Sequence, residues 1–382
     1  MIDLAPVAAW FGECYGRDPQ CVWQAPGRAN LIGEHTDYND GLVLPFALQR
    51  GTVAAASRRA GDLLELRSRQ SRGPVAAVRI GELEPGAVTG WAAYPAGVAW
   101  ALREAGYRVS GASVAIDSDL PQGAGLSSSA ALSCAAVLAC ACLSGLSIPR
   151  PALAELARRA ENDFVGMPCG IMDQSASLLC QAGHALLLDC RSGTCSQVPL
   201  ALADSGAALM IIDTRASHEL TDGEYAARRE ECAAAARALG VSSLRDLTDD
   251  SQLAGQLSDP VLRRRARHVL TENRRVEDTV RLLRDGDVSA VGSLISESHR
   301  SLRDDFEVSW PEADQAVQAA ESAGALGARM MGGGFGGSVL ALVPGDRAAL
   351  VRDAVAAAFA GRGWGQPEFL DATPSDGARR IG

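Results

Sequence analysis

The chain has 382 residues, 47% of them hydrophobic, enough to bury a sizeable core and long enough to suggest two domains. Its formal net charge is −10, and its 36 basic residues are all arginine, dispersed along the sequence. That balance argues against nucleic acid and anionic membrane as partners, which need clustered positive charge. The absence of lysine excludes a Walker-type loop, whose lysine sits over the phosphates.

The start, Met1-Ile-Asp-Leu-Ala-Pro6, lacks the basic-then-apolar order of a secretory signal. Between Ala25 and Gly41, Arg28, Asn30, Glu34, His35, Asp37 and Asn39 crowd into a glycine-punctuated stretch. Such a set of donors and acceptors suits a polyhydroxylated ligand such as a sugar; a hydrophilic surface loop is the plainer reading. Short apolar runs at 43–48, 51–56, 63–67 and 112–116 predict strands, and the pattern over 95–105 predicts a helix.

Next comes Pro121-Gln-Gly-Ala-Gly-Leu-Ser-Ser-Ser129, running into an apolar helix over 130–143. Free N–H groups at the start of such a helix form a ready anion site, and glycines let a phosphate approach the backbone. Three serines before an apolar run are equally an ordinary N-cap. The apolar run is too short for a membrane span and reads as a core helix. A further helix is predicted over 151–162, and Asp173 follows in an apolar setting beside Ile171 and Met172. There it either caps a helix or, paired with a cation such as Arg28, serves as an ionised base.

A domain boundary is expected near residue 205, ahead of a strand at 207–212, giving units 1–205 and 206–382. Helices are predicted over 224–239 and 259–285. The stretch 325–331 then enters a second glycine loop, with five glycines between 332 and 337, and a strand at 339–343 leaves it. This loop is placed to close over a ligand held by the first unit, and two such loops favour a nucleotide. The fold class is α+β. Ten cysteines without Cys-x-x-Cys pairs suggest reduced thiols and a cytoplasmic protein, and five scattered histidines suggest no zinc site. Without an obvious obligate interface, a monomer is expected.

Three segments together resemble the GHMP small-molecule kinases: Pro26-Gly-Arg-Ala-Asn-Leu-Ile-Gly-Glu-His-Thr-Asp-Tyr-Asn39, the serine loop, and Met331-Gly-Gly-Gly-Phe-Gly-Gly337. The first is similar to the sugar signature of the galactokinase branch, as is Gly166-Met-Pro-Cys-Gly-Ile-Met-Asp-Gln174. Matches at 222–229, 268–275 and 301–308 extend the likeness along the chain. The resemblance implies a ribosomal-S5-domain-2-like N-terminal domain and a ferredoxin-like C-terminal domain. It implies that ATP phosphorylates D-galactose at O1, with Arg28, Glu34, His35, Asp37, Gly170, Asp173 and Tyr225 around the sugar. Asp173 would be the base, with Arg28 beside it. Gly123, Ala124, Gly125, Leu126, Ser127, Ser128 and Ser129 would hold ATP, Trp91 would lie against adenine, and Ser129 and Glu161 would ligate Mg²⁺. Ala29 and Ser309-Trp310 depart from the family pattern. A sugar and ATP sensor without catalysis, or a kinase for a related sugar such as N-acetylgalactosamine, are the alternatives. Glu34 and Asp37 argue against the carboxylate mevalonate, which they would repel.

Overall fold

The computed structural model describes residues 5–382 apart from 72, 74, 122, 217–220, 250–252 and 254–255. The chain's first four residues, Gln122 of the serine loop and His218 lie outside the described residues.

The first half is built on a six-stranded sheet. From edge to edge its strands are Arg379–Arg380 (β13), Cys21–Asn30 (β1), Pro45–Arg58 (β3), Ala112–Ser118 (β6), Leu63–Ser68 (β4) and Ala76–Arg79 (β5). All neighbours are antiparallel except β4 and β6. On one face lie three helices, Ala93–Glu104 (α2), Ser128–Leu143 (α3) and Arg150–Arg159 (α4); on the other, Val7 and Phe11 of Ala5–Tyr15 (α1) pack on Val53 and Ala55. Cover on both faces is why β3 reads as a nearly unbroken apolar run, and why α3, enclosed by the sheet and its neighbours, is apolar all round.

Two sequence expectations change here. The strands predicted at 43–48 and 51–56 are one strand, β3, while Leu42–Val43 (β2) splits off to pair with His184–Asp189 (β7), which pairs with Cys195–Pro199 (β8). Gly51 is no break. It sits where β1 shifts register between Pro26 and Arg28, and a Cβ there would lie 2.4 Å from the Ala25 carbonyl oxygen. The helix predicted over 151–162 stops at Arg159 and widens into a π-helical stretch, Ala160–Val165, that carries Glu161.

The second half has a four-stranded antiparallel sheet in the order Gly327–Met331 (β10), Ser338–Pro344 (β11), Ala207–Asp213 (β9) and Glu368–Ala372 (β12). Its helices are Thr221–Leu239 (α6), Pro260–Arg284 (α7), Val291–Asp304 (α8), Pro311–Ser322 (α9) and Ala348–Gly361 (α10); Met172–Leu179 (α5) precedes it in the first half. A third core joins the halves, packing Leu31, Phe46 and Leu126 with Ile211, Leu340 and Val276.

The expected unit 206–382 does not keep all its residues. After β12 the tail returns to the first half: Ser375 N–H donates to Ala47 O at 2.9 Å, Gly377 N–H to Cys180 O at 2.8 Å, and β13 pairs with β1. We propose the boundary near residue 205 for the chain up to β12, since the tail's backbone bonds go to the first half. All ten cysteines are free thiols. Among the described residues no helix is long and apolar enough to cross a membrane.

Candidate active site

A cavity of about 250 Å³ opens between the halves, and all seven residues expected around a sugar line it: Arg28, Glu34, His35, Asp37, Gly170, Asp173 and Tyr225. Five segments deliver them, Gly170 coming from the loop before α5. Arg28 comes from β1, Glu34 to Asp37 from the loop after it, Asp173 from the first turn of α5 and Tyr225 from α6. Gly332, Gly333, Gly334 and Phe335 close the cavity from the second half.

Arg28 is 5% exposed and grips Asp173 with two bonds, Nε to Oδ1 at 2.8 Å and Nη2 to Oδ2 at 3.0 Å. Its remaining Nη1 donates to the Gly125 carbonyl at 2.6 Å, tying the serine loop to the pair. Burial works against the guanidinium charge, but the carboxylates of Asp173, Glu34 and Asp37 outweigh it and hold its pKa above the usual value. Asp173 does not occupy the cap position, which falls to Ile171. Ser127 stands at the N-cap of α3 in a left-handed conformation, yet its hydroxyl donates to Asp173 Oδ2 instead of capping. The first N–H groups of α3 therefore have no side-chain cap, which favours the anion-site reading of this loop.

Asp37 is unusual for a carboxylate. Burial, with the Asp173 and Glu34 charges nearby, pushes its pKa up to about 7, against the pull of a Tyr38 N–H bond at 3.0 Å. Its Oδ2 also explains Gly170, because a Cβ there would lie 1.8 Å from that oxygen. Glu34, 2% exposed, is already engaged at both oxygens: Oε1 faces Arg329 at 2.8 Å and accepts from Gly332 N–H at 2.7 Å, while Oε2 accepts from Asn30 at 3.0 Å. His35, with φ 61°, packs between Tyr225 and Phe306, its Nδ1 2.8 Å from the Tyr38 hydroxyl. Burial, with His268 and arginine charges nearby, drives its pKa well below the usual value, so it enters the cavity neutral.

The residues expected to hold the nucleotide divide. Trp91, Ser128 and Ser129 line a second cavity of about 350 Å³ on the far side of the serine loop, with Tyr94, Thr52, Gln70 and Ser118. Gly123, Ala124, Gly125, Leu126 and Ser127 do not line it. Ala124 and Leu126 are packed into the joint core, so only their backbone could meet a phosphate. The two glycine loops touch backbone to backbone: a Cβ on Gly332 would sit 3.5 Å from Gly125 O.

Glu161 is buried behind Ser129, accepting from Gln174 Nε2 at 2.9 Å. Burial, with the Asp173 charge nearby, raises its pKa to about 7 against that bond and the pull of the neighbouring Ser129 and Ser133 hydroxyls. Buried Ser133 Oγ and Gln174 Oε1 have no hydrogen-bond partner. An all-oxygen set around a carboxylate short of counter-charge fits a hard divalent cation. Among the described residues no group of three or more acidic, histidine or cysteine side chains is placed to hold a metal ion. The family departures touch none of this: Ala29 is in the joint core, and Trp310 bonds Thr214 at 3.2 Å.

Sequence reasoning assigned no role to Thr52, Gln70 and Ser118 of the second cavity, nor to Arg329 and Glu272 behind the first. The cavity residues come from β3, β6 and the turn after β4 and leave no local signal. Glu272 lay inside the noted 268–275 match, without a task.

Residues 9–58 match the galactokinase galactose-binding signature, 93–181 the GHMP kinases N-terminal domain and 279–361 the GHMP kinases C-terminal domain. A galactokinase of Streptomyces coelicolor is 50% identical over 374 residues, 97% of each chain. One of Mycobacterium tuberculosis is 47% identical over 356 residues, 93% of this chain and 97% of that one. The structure of Lactococcus lactis galactokinase complexed with galactose superposes with a TM-score of 0.94 at 32% identity, covering 99% of this chain and 100% of that one. A mevalonate kinase structure, at 14% identity and a TM-score of 0.66, shares the fold. The chain therefore belongs to the galactokinase family and has the two-domain fold of the GHMP kinases.

Proposed function

We propose that this chain transfers the γ-phosphoryl group of ATP to O1 of α-D-galactose, giving galactose 1-phosphate and ADP. The observation that carries the reading is the Arg28–Asp173 pair, a two-bonded carboxylate set between a polar cavity and the uncapped start of α3. Asp173 Oδ1 accepts one bond and Oδ2 two, so Oδ1 retains a lone pair for a proton. As O1 attacks the γ-phosphorus, its proton passes to Asp173 and the bond to ADP breaks. In a loose transition state the protein chiefly positions reactants and neutralises charge, which falls to the α3 N–H groups and Arg28. Ser129 and Glu161 would hold Mg²⁺, which when bound neutralises phosphate charge. Trp91 would stack on adenine.

A D-galactose panel with ATP and Mg²⁺, coupled to ADP release and with the phosphate located on the product, tests the reading. Phosphate at O1 of galactose is expected. Sugar and ATP binding without ADP release would instead identify a sensor, a reading disfavoured by the intact Ser127 to Ser129 and Asp173. Faster turnover of N-acetylgalactosamine would name a different substrate. We place the protein in the cytoplasm as a monomer, on its free thiols and the absence of an obligate interface in the sequence pattern.

A further inference from the structure

We propose that Glu272 is a positioning residue for the sugar cavity: reaching from α7 in the second half, its carboxylate fixes the backbone that aims Glu34, His35 and Asp37. The proposal rests on the galactose reading for its kinetic arm and on geometry alone for the other.

The loop after β1 turns sharply. Gly33 has φ 100°, a Cβ there would lie 2.6 Å from Leu42 O, and His35 two residues on is also left-handed. A left-handed turn of this kind points successive N–H groups to one side, forming a small anion seat. The anion here is a side chain. Glu272 Oε1 accepts from Gly33 N–H at 2.9 Å and, more weakly, from Glu34 N–H at 3.4 Å. Ser298 Oγ adds a third bond at 2.7 Å, and Oε2 is held by Arg275 at 2.8 Å. Glu272 has no exposed surface. With Arg275, His268 and Arg329 charges overcoming its burial, it stays ionised, its pKa near 2.

The same helix takes the loop's other loose ends. His268, one turn earlier, places Nε2 3.0 Å from Glu34 O, and its Nδ1 meets Ser301 Oγ at 2.9 Å. Asn273 Oδ1 accepts from Leu42 N–H at 2.7 Å. One face of α7 thus holds both ends of the segment that supplies three cavity side chains. None of the three α7 residues lines the cavity itself. A buried ion pair is weak evidence of stability, because a well-packed apolar pair often serves as well. An apolar residue at 272 would, however, orphan the two loop amides.

The test is Glu272→Met, alone and with Arg275→Met, the double variant removing the unpaired arginine. The expected result is a rise in galactose KM of roughly ten- to a hundred-fold, ATP KM within about two-fold of wild type, and a smaller change in kcat. The double variant should recover thermal stability and keep the galactose defect. Equal rises in both KM values, or an unchanged galactose KM in a folded variant, would overturn the proposal. Amide hydrogen exchange supplies the second arm: Gly33 and Glu34 should lose protection in Glu272→Met while the β3 amides keep theirs, and unchanged protection at Gly33 also overturns it. If wild type releases no ADP with galactose, the functional reading fails, and the exchange arm still decides the role of Glu272.

Discussion

The two cavities on either side of the serine loop are built on opposite principles. The one between the halves is lined by charged side chains that already hold one another, Arg28 on Asp173 and Glu34 on Gly332 and Arg329. The other offers hydroxyls, two aromatic rings and the start of a helix, with no ionised group among its lining residues. A sugar needs directed acceptors and donors in fixed places, and a rigid paired network supplies them. A nucleotide brings its own charge, so backbone dipoles and a flat ring suffice. Preorganisation is therefore costly in the first cavity and nearly free in the second.

Substitutions can break or sharpen that contrast. The largest effect is expected for Asp173→Asn, which should lose about 10²–10⁴ in kcat while binding both substrates, measured by single-turnover kinetics and calorimetry. Near-normal turnover would remove Asp173 as the base. On the other side, Ser129→Ala should raise the Mg²⁺ needed for half-maximal rate about tenfold, with galactose KM unmoved. A shift in galactose KM instead would show the cavities to be less separate than drawn. Trp91→Ala should raise ATP KM about tenfold and leave the sugar untouched; an unchanged ATP KM would move adenine elsewhere.

The smallest effect is the most specific. Asp37 ionises near pH 7 in the folded chain against 3.8 for a free carboxyl. Between those values the unfolded chain has released a proton that the folded one retains. Wild-type stability is therefore lost as pH rises through this window and stays reduced above it. Asp37→Asn should match wild type near the free carboxyl value and exceed it above pH 7 by roughly 1–2 kcal/mol, an amount discounted for the site's partial exposure. The same variant should bind galactose more weakly. Thermal unfolding across pH gives the first result and calorimetry the second; a pH-independent difference would reject the raised pKa.

Much of this was legible because chemistry-bearing residues cluster in the chain. Arg28 to Asp37 span ten positions, and the apolar setting of Asp173 called for a cation that the structure finds in Arg28. The α3 core helix was clear from its composition. Other features were hidden for identifiable reasons. Gly51 reads locally as a strand break and is a close approach between strands. Ser127 reads as a cap, but its hydroxyl turns to a carboxylate 46 residues away. The tail after 372 carries no sign that it pairs with β1, because an edge strand of two residues has no pattern.

Residue type and local spacing alone determined which groups can accept a proton, bind a hydroxyl or receive a phosphate, since those capacities belong to the side chains and to the start of a helix. Tertiary structure decided how each is used. It made Asp37 hard to ionise, His35 neutral and Glu34 fully engaged, because desolvation and neighbouring charge depend on what the other half of the chain brings to within a few ångströms. Glu272, 238 residues from the Glu34 backbone it holds, is the clearest case.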